Sequence, residues 1–457
     1  MDIKKVVVIG SGTMGSGIAA QVANAGISVY LLDISSEISQ NAFERIKKSR
    51  PPLLMNENLS NLIHPGNIED DLDHIKDADW VVEAVVERID IKRSIYKKID
   101  VRRKSSALVS SNTSSIPLKV LSEEMSEEMK KVFCITHFFN PVRYMRLLEL
   151  VITPMNDRRK IDKLKLFCDE KLGKTVVICN DSPGFLGNRV GVYAMQVAMT
   201  EAFNLGLSVE EADTIFGRPM GIPKTGVFGL YDLIGIDLMA DVLKSFIKEL
   251  PSDDPFHVVG KEHPLINKLI ENGYTGRKGK GGFFRINKNN NQKILESLNY
   301  KTHSYHASKK IDLSLPDLMD INHLLNRNDI YSQYAWNIIK KTILYAASLV
   351  PQVTENFNDI DDAMRCGFNW QKGPFEILHE IGVSNFIKKL NSSDSIPPFL
   401  QVLNDNKTSL FAVEKNKLHY YNISSGLLPI TRPDGIISLS DKKKMSKPLY
   451  SNHSISL

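Results

Sequence analysis

The stretch Lys5–Gly15, KVVVIGSGTMG, decides the fold of the N-terminal part of the chain. It begins as a β-branched apolar run of strand length and continues directly into three glycines spaced as G-x-G-x-x-G. Residues 18–23 then have helix-forming composition, and residues 28–32 form a second strand-like run that ends at Asp33. This order predicts one strand–helix–strand unit with parallel strands.

The glycine spacing in this context is typical of a dinucleotide-binding turn. Gly10 permits a tight turn, Gly12 lets the backbone approach a pyrophosphate, and Gly15 lets the helix pack closely on the strand. The helix N-terminus offers unpaired amides to phosphates. Asp33 is placed to hold ribose hydroxyls and to repel a 2′-phosphate, which predicts NAD rather than NADP. The alternative, a glycine-rich turn without a ligand, is disfavoured by the full context.

Downstream of Asp33, strands continue to alternate with helices, which predicts a parallel sheet covered on both faces. Residues 38–50 have the pattern of an amphipathic helix, and Pro51-Pro52 cannot continue it, so we expect a helical hairpin that reverses there. The further strand-like runs are residues 80–85, 107–110, 131–135 and 176–178.

A helical segment of the chain is repeated. DTIFGRPMGIPK at 213–224 recurs in outline as DDAMRCGFNWQK at 361–372, and each copy is followed by a Gly, a Phe and an Ile-Gly pair. No second glycine-rich strand–turn–helix precedes the second copy, so the helical module is duplicated and the nucleotide module is not. The predicted organisation is an α/β domain over 1–183, helical domains over 184–285 and 326–412, a polar linker over 286–325, and a strand-like tail over 413–457.

Composition excludes several classes of function. The chain has 457 residues, which argues for more than one domain, and its net charge of +5 does not predict nucleic-acid binding, although it suits an anionic substrate. The four cysteines are scattered, which suggests neither a disulfide framework nor a metal site. No apolar run approaches the roughly 20 residues of a membrane span, and a strand-like run starts too early to leave room for a signal peptide. We therefore expect a cytoplasmic protein.

A histidine and a glutamate are the candidate groups for proton transfer. His137 follows a strand, and Glu149 lies inside the apolar run 147–152. A lone histidine after a strand is more often a hydrogen-bonded core residue, but an unpaired carboxylate is costly to bury. The pair therefore predicts a base whose ring is held by a carboxylate.

Small polar residues at 111–114, SNTS, end another strand-like run. Two interpretations stay open on local sequence. These residues either cap the next turn or place hydroxyls at the carboxyl edge of the sheet, where ligands of open α/β sheets bind.

Six motifs in this order closely resemble the L-3-hydroxyacyl-CoA dehydrogenase family, over about residues 3–285, with the repeat extending the match to about 415. The motifs are GSGTMG at 10–15, VEAVVE at 82–87, SNTS at 111–114, HFFNP at 137–141, Glu149, and DSPGFLGNR at 181–189. The fold implied is a Rossmann-type α/β domain followed by two α-helical repeats like the C-terminal domain of 6-phosphogluconate dehydrogenase.

The resemblance implies oxidation of the 3-hydroxyl of an acyl-CoA with NAD. His137 would be the general base and Glu149 its support, while Ser114 and Asn188 would hydrogen-bond the reacting oxygen and the thioester region. The implied cofactor contacts are Gly10, Gly12, Thr13, Met14, Gly15, Asp33, Glu87, Lys92, Ser114, Asn140 and Lys278.

Two other functions stay open. One is a 3-hydroxybutyryl-CoA dehydrogenase working in the reductive direction, which site residues cannot separate from the oxidative one. The other is a non-catalytic NAD-binding remnant, against which the intact His137, Glu149 and Asn188 argue.

The duplicated module resembles multifunctional β-oxidation proteins, which couple the dehydrogenase to an enoyl-CoA hydratase. No hydratase-length segment is present here, so the resemblance implies a hydratase partner, with the tail from about 413 as the start of a lost connection. In the family's short enzymes the helical domain makes the homodimer contact. We therefore expect the second copy to pack on the first as an internal pseudo-dimer. Because Pro51-Pro52 falls where the family's hairpin contacts coenzyme A, no coenzyme A residue is assigned.

Overall fold

The computed structural model describes residues 3–289, 292–314, 321–432 and 435–446. The chain divides into two compact units, Met1–Gly187 and Asn188–Leu457. Parts of the predicted linker, 290–291 and 315–320, and of the predicted tail, 433–434 and 447–457, lie outside the described residues.

The first unit is built on an eight-stranded sheet with the order β3-β2-β1-β4-β5-β6-β7-β8. Its strands are β1 Lys5–Ile9, β2 Ser28–Asp33, β3 Ile63–Asn67, β4 Trp80–Glu83, β5 Leu108–Ser111, β6 Phe133–Phe138, β7 Leu147–Val151 and β8 Thr175–Cys179. The strand order reverses between β1 and β4, as it does in a Rossmann fold, and the ligand crevice of such sheets opens at that point.

The central strands are apolar because both faces of the sheet are covered. Val6, Val7 and Val8 of β1 are fully buried, and Trp80 of β4 is buried beside them. The helices of this unit are α1 Thr13–Asn24, α2 Ser36–Lys48, α3 Ile89–Asp100, α4 Leu118–Ser122, α5 Glu127–Lys130 and α6 Arg158–Glu170.

The expectation of a purely parallel sheet is wrong at its last two strands. β7 runs antiparallel to β6, with His137 directly opposite Glu149, and β8 runs parallel to β7. The physical reason is the short connection between β6 and β7, since a parallel neighbour needs a crossover of a dozen or more residues.

The expected helical hairpin at Pro51-Pro52 is also wrong in its second arm. Helix α2 ends at Lys48, and the chain then forms only a 3₁₀ helix, Glu57–Leu62, before β3. Two adjacent prolines remove two backbone donors, and the few residues left before β3 do not support a longer helix.

The second unit is mainly helical, as the pattern from Gly184 predicts. Its helices are α7 Gly187–Leu205, α8 Val209–Ile215, α9 Phe228–Ile234, α10 Ile236–Glu249, α11 Phe256–Val259, α12 Pro264–Glu271, α13 Ile321–Leu325, α14 Ile330–Ser348, α15 Phe357–Gly367, α16 Pro374–Ile381, α17 Val383–Lys388, α18 Pro398–Asp405 and α19 Leu439–Met445. Helix α7 starts at the last residue of the first unit. No helix among the described residues is long and apolar enough to span a membrane.

Two small antiparallel sheets accompany these helices. The first consists of β9 Phe284–Asn289, β10 Gln292–Asn299 and β11 Ser304–Ala307, and the second of β12 Phe411–Glu414, β13 Lys417–Asn422 and β14 Gly426–Pro429. The first sheet lies where the sequence predicts an unstructured linker. Its polar composition reflects exposed strand faces, while Leu298 and Ser297 are buried.

Matching positions of the sequence repeat make matching contacts. Asp213 accepts the backbone N–H of Phe228 at 2.7 Å, and Asp361 accepts that of Phe375 at 2.8 Å. Both aspartates are buried. Burial raises the pKa of Asp213 to about 8 and raises the pKa of Asp361 as well.

The two segments that share this sequence pattern have neighbours in direct contact. The rings of Tyr193 and Tyr345 stack with centroids 3.9 Å apart, and the backbone N–H of Gln371 donates to the Gly221 carbonyl at 2.7 Å. A Cβ added at Gly191 would lie 2.2 Å from the ring of Phe368. The absence of a side chain at residue 191 is therefore what lets this ring approach helix α7.

This contact predicts a test of the packing between the copies. Gly191→Ala should lower the midpoint of thermal unfolding, because overpacking costs about 1–3 kcal/mol. In a Phe368→Ala background the same change should cost much less, because the ring it meets is gone. Strictly additive effects in this double-mutant cycle would contradict the contact.

Candidate active site

The glycine turn after β1 has the geometry that its three glycines predict. Gly10 has φ +101°, and a Cβ there would lie 2.5 Å from the Ala84 carbonyl oxygen. A Cβ at Gly15 would lie 1.8 Å from the Gly10 oxygen, so helix α1 packs too closely for a side chain. At Gly12 the added Cβ would have no heavy atom of the described chain within 4 Å. Two glycines are therefore needed by the fold, while the third leaves open space in front of the helix N-terminus.

Asp33 closes the turn from the end of β2. Its Oδ2 accepts both the backbone N–H and the hydroxyl of Ser11, each at 2.6 Å. Its Oδ1 accepts the Ile34 N–H at 2.8 Å. Because the carboxylate is only partly buried, it has lone pairs left for ribose hydroxyls.

A buried ionic network lies at the ends of β4 and β5. Glu83 and Lys92 are 0% and 1% exposed, and the Lys92 Nζ donates to the Glu83 Oε1 at 2.7 Å. The other carboxylate oxygen of Glu83 accepts hydroxyls from Tyr96 at 2.5 Å and Ser111 at 2.7 Å. Burial, together with the Glu83 charge, raises the pKa of Tyr96 well above its usual value, so this phenol stays a donor.

Lys92 also holds Glu87, the outer carboxylate of the network. The Lys92 Nζ lies 3.1 Å from Glu87 Oε2. Glu87 Oε1 accepts hydroxyls from Thr113 and Ser115 and the backbone N–H of Ser114. Burial by itself raises the pKa of Glu87, but the Lys92 charge and these hydrogen bonds outweigh it and lower the net value. The SNTS segment thus both caps a turn and sits at the carboxyl edge of the sheet.

His137 and Glu149 form a buried pair. The His137 Nδ1 lies 2.6 Å from Glu149 Oε2, and the two side chains are 8% and 0% exposed. The other glutamate oxygen accepts the backbone N–H groups of Leu186 at 2.9 Å and Gly187 at 2.6 Å. Both oxygens of this side chain thus act as hydrogen-bond acceptors. The imidazole therefore carries its proton on Nδ1, with Nε2 left as an acceptor.

The remaining predicted residues are divided between the two units. Ser114 and Asn140 are exposed residues that follow β5 and β6. Asn188 is the first residue of the second unit and directly follows Gly187. Lys278 also belongs to the second unit, where its Nζ pairs with Asp237 at 2.8 Å.

Sequence reasoning missed the supporting residues Glu83, Tyr96 and Asn112. The Asn112 side-chain oxygen accepts the Phe138 backbone N–H at 3.0 Å and so ties the end of β5 to the strand that carries His137. For Glu83 a signal was available, since it is an acid inside the apolar run WVVEAV, the same pattern that marks Glu149.

Comparisons with known proteins agree with this geometry. Residues 5–182 match the model of the 3-hydroxyacyl-CoA dehydrogenase NAD binding domain, and residues 184–286 match that of the 3-hydroxyacyl-CoA dehydrogenase C-terminal domain. The chain belongs to the 3-hydroxyacyl-CoA dehydrogenase family, and the cofactor of its first domain is NAD.

Three relatives illustrate the match. A putative fatty acid oxidation complex trifunctional enzyme of Rickettsia felis is 44% identical over 82% of this chain and 53% of its own length. A probable 3-hydroxyacyl-CoA dehydrogenase of Deinococcus radiodurans is 38% identical over 63% of this chain and 84% of its own. The crystal structure of 3-hydroxybutyryl-CoA dehydrogenase from Escherichia coli shares the fold with TM-score 0.63 and 22% identity, over 85% of this chain and 93% of that one. The chain thus spans about half the length of the first relative.

The turn predicts opposite outcomes for two glycines. Gly12→Ala should leave the thermal midpoint close to wild type, because its Cβ meets nothing in the chain, yet it should weaken NADH binding by intruding on the pyrophosphate path. Gly15→Ala should instead lower the thermal midpoint, because its Cβ meets the Gly10 backbone.

Thermal melts and NADH fluorescence titrations of both variants are the measurements. The assignment fails if Gly12→Ala binds NADH as wild type does.

Proposed function

We propose that this protein oxidises (S)-3-hydroxyacyl-CoA to 3-oxoacyl-CoA with NAD, as in fatty-acid β-oxidation. The observation that carries the proposal is the buried His137–Glu149 pair on the sheet that also carries the dinucleotide turn. The family membership gives this pair its substrate class.

Glu149 prepares His137 for proton transfer in two ways. It accepts a hydrogen bond from Nδ1–H, so that Nε2 presents a lone pair to the proton of the substrate 3-hydroxyl. When Nε2 takes that proton, the ring becomes a cation, and the adjacent carboxylate stabilises it. Removal of the hydroxyl proton as the hydride leaves C3 avoids a protonated ketone.

NAD, when bound, supplies the hydride acceptor. Gly10, Gly12 and Gly15 would receive its pyrophosphate with Thr13 and Met14 at the N-terminus of α1. The ribose would be held by Asp33, whose second oxygen keeps the turn closed through Ser11.

The other matching residues complete the proposed site. Glu87 and Lys92 would face the cofactor from the network at the end of β4, with Ser114 and Asn140 at the edge of the sheet. The family resemblance further assigns Ser114 and Asn188 to hydrogen bonds with the reacting oxygen and the thioester region, and Lys278 to a contact with NAD.

A second candidate is the reductive direction on a short substrate. The site residues serve either direction equally, because His137 can take a proton from the hydroxyl or return it to the oxygen. A third is a non-catalytic NAD-binding protein, against which the intact hydrogen bonds of His137 and Glu149 argue. Absorbance at 340 nm with acetoacetyl-CoA and NADH separates the third candidate from the first two, because the third predicts cofactor binding without turnover.

We also propose a domain organisation and a partner. The matching contacts of Asp213 and Asp361, and the stacking of Tyr193 on Tyr345, support two helical repeats, 184–285 and 326–412, packed as an internal pseudo-dimer. The name of the Rickettsia felis relative supports an enoyl-CoA hydratase partner, and the match over about half of that protein is consistent with one. A cytoplasmic location is supported by free cysteine thiols.

Replacing either member of the pair should stop proton transfer. His137→Gln should lower kcat by ~10²–10⁴-fold while NADH affinity stays near wild type. Glu149→Gln should also lower kcat without weakening NADH binding, but for a different reason. Its carbonyl oxygen must face the Leu186 and Gly187 amides, so its NH₂ faces Nδ1 and drives the ring proton onto Nε2.

Steady-state kinetics of both variants, with NADH titrations as the binding control, test this prediction. A near-normal kcat for His137→Gln would rule out His137 as the base, and one for Glu149→Gln would rule out the supporting role of Glu149.

Asp33 predicts a preference for NAD over NADP in kcat/KM, because its charge repels a 2′-phosphate. Asp33→Asn should narrow the preference while its oxygen still accepts from Ser11. Asp33→Ala should also weaken NAD binding, since it loses the proposed contact with the ribose and the hydrogen bonds from Ser11 that close the turn. Equal kcat/KM for the two cofactors in the wild type would refute the assignment.

A further inference from the structure

The second unit contains a cavity of about 840 Å³ that the proposed reaction does not use. All of the residues that line it belong to the segments 210–232, 277–295 and 308–311. Cavities of this size hold small organic ligands.

Six cationic side chains line this cavity, and three of them have no hydrogen-bonded or ion-paired partner among the described residues. The six are Lys224, Arg277, Lys280, Arg285, Lys309 and Lys310. Lys280 donates to a backbone carbonyl, while Arg285 and Lys310 are paired with Glu296 and Asp312. In the described part of the chain, the ammonium groups of Lys224 and Lys309 and the guanidinium of Arg277 make no hydrogen bond or ion pair.

The three carboxyl groups of the cavity are committed to the fold. Asp213 accepts the Phe228 and Gly229 amides, and Asp232 accepts those of Phe283 and Phe284. Glu210 accepts from His306 and from the Lys309 backbone. Burial raises the pKa of Asp213 to about 8 and of Asp232 to about 6, which reduces the negative charge that opposes the cations.

One wall of the cavity is apolar and accessible. Phe284, Ile286, Leu295 and Ile311 line it, and Ile286 and Leu295 are 64% and 51% exposed. A ligand that fits must therefore carry several negative charges at one end and a flat or apolar body at the other. A fatty-acid anion has the body but only one charge, which leaves most of the cations unmatched.

We propose that this cavity binds a nucleoside polyphosphate, with the phosphates on Lys224, Lys309 and Arg277 and the base against the Phe284–Ile286 wall. Lysine and arginine bind phosphate through charge-assisted hydrogen bonds. The apolar wall supplies the contact that inorganic phosphate cannot make. The site is additional to the dinucleotide turn, because its residues all lie in the second unit.

The probe is ATP added to the full chain saturated with NADH, so that the dinucleotide turn is filled. Equilibrium dialysis should detect saturable ATP binding in the wild type. Lys224→Gln combined with Lys309→Gln should weaken it by about tenfold or more, because two charge-assisted contacts are lost. The matched control, Lys248→Gln with Lys388→Gln, removes the same charge at exposed positions outside the cavity and should bind ATP as the wild type does.

Three results would overturn the proposal. They are no ATP binding to the NADH-saturated wild type, ATP binding unchanged in the Lys224/Lys309 variant, and displacement of ATP by equal concentrations of laurate. Thermal melts of the variant and of the control exclude misfolding as a cause, since all four lysines are exposed. None of these outcomes depends on dehydrogenase turnover, so the proposed reaction is tested separately.

Discussion

The carboxylate of Glu149 constrains both the edge of the sheet and the start of the first long helix. An ionised carboxylate that is 0% exposed is strongly destabilising unless each of its oxygens has donors. One donor is the His137 ring on the neighbouring strand, and the others are the amides of Leu186 and Gly187 at the start of α7. Leu186 and Gly187 are the last residues of the first unit, so all of these donors belong to the unit that carries the carboxylate. The antiparallel pairing of β6 and β7 makes this arrangement possible, because that pairing places Glu149 directly opposite His137.

The same solution appears at the end of β4. Glu83 is buried completely, and its oxygens receive the Lys92 ammonium and the hydroxyls of Tyr96 and Ser111. In register, Glu83 lies beside Ile9 of β1 and Ser111 of β5, so the network is placed next to the glycine turn. Lys92 then carries its second interaction out to the partly exposed Glu87. A buried charge thus fixes a lysine and an accessible carboxylate at the crevice of the sheet, where flexible side chains would otherwise lose the geometry.

Much of this could be predicted from sequence because the deciding features are local. The glycine spacing, the strand before it and Asp33 lie within one strand–helix–strand unit, and an acid inside an apolar run marks a buried partner. The direction of β7 could not be predicted, since pairing depends on which strand is adjacent in space. The sheet over 284–307 was missed because its strands are exposed and polar, so its alternation does not stand out from that of a linker. The family resemblance points to Lys92, but its contact with Glu83 and that of Glu83 with Tyr96 depend on how α3 packs on β4, which the sequence does not give.

The two segments of similar sequence share one polar contact and differ at the next polar position. In both copies a buried aspartate accepts an amide that follows a glycine, and a Cβ on either glycine, Gly226 or Gly373, would collide with that aspartate. This constraint is local, so any copy that folds must keep it. The next polar position has diverged. Asp232 accepts the Phe283 and Phe284 amides and so ties the first copy to its small sheet. In the second segment the corresponding residue is His379. Its ring packs perpendicular to that of Phe411 in the second small sheet. A carboxylate can be replaced there because an aromatic contact buries the junction equally well, whereas no apolar side chain could cap the helix in place of Asp361. At this position a ring contact thus stands in the second segment where the first has hydrogen bonds, while the buried aspartate is present in both.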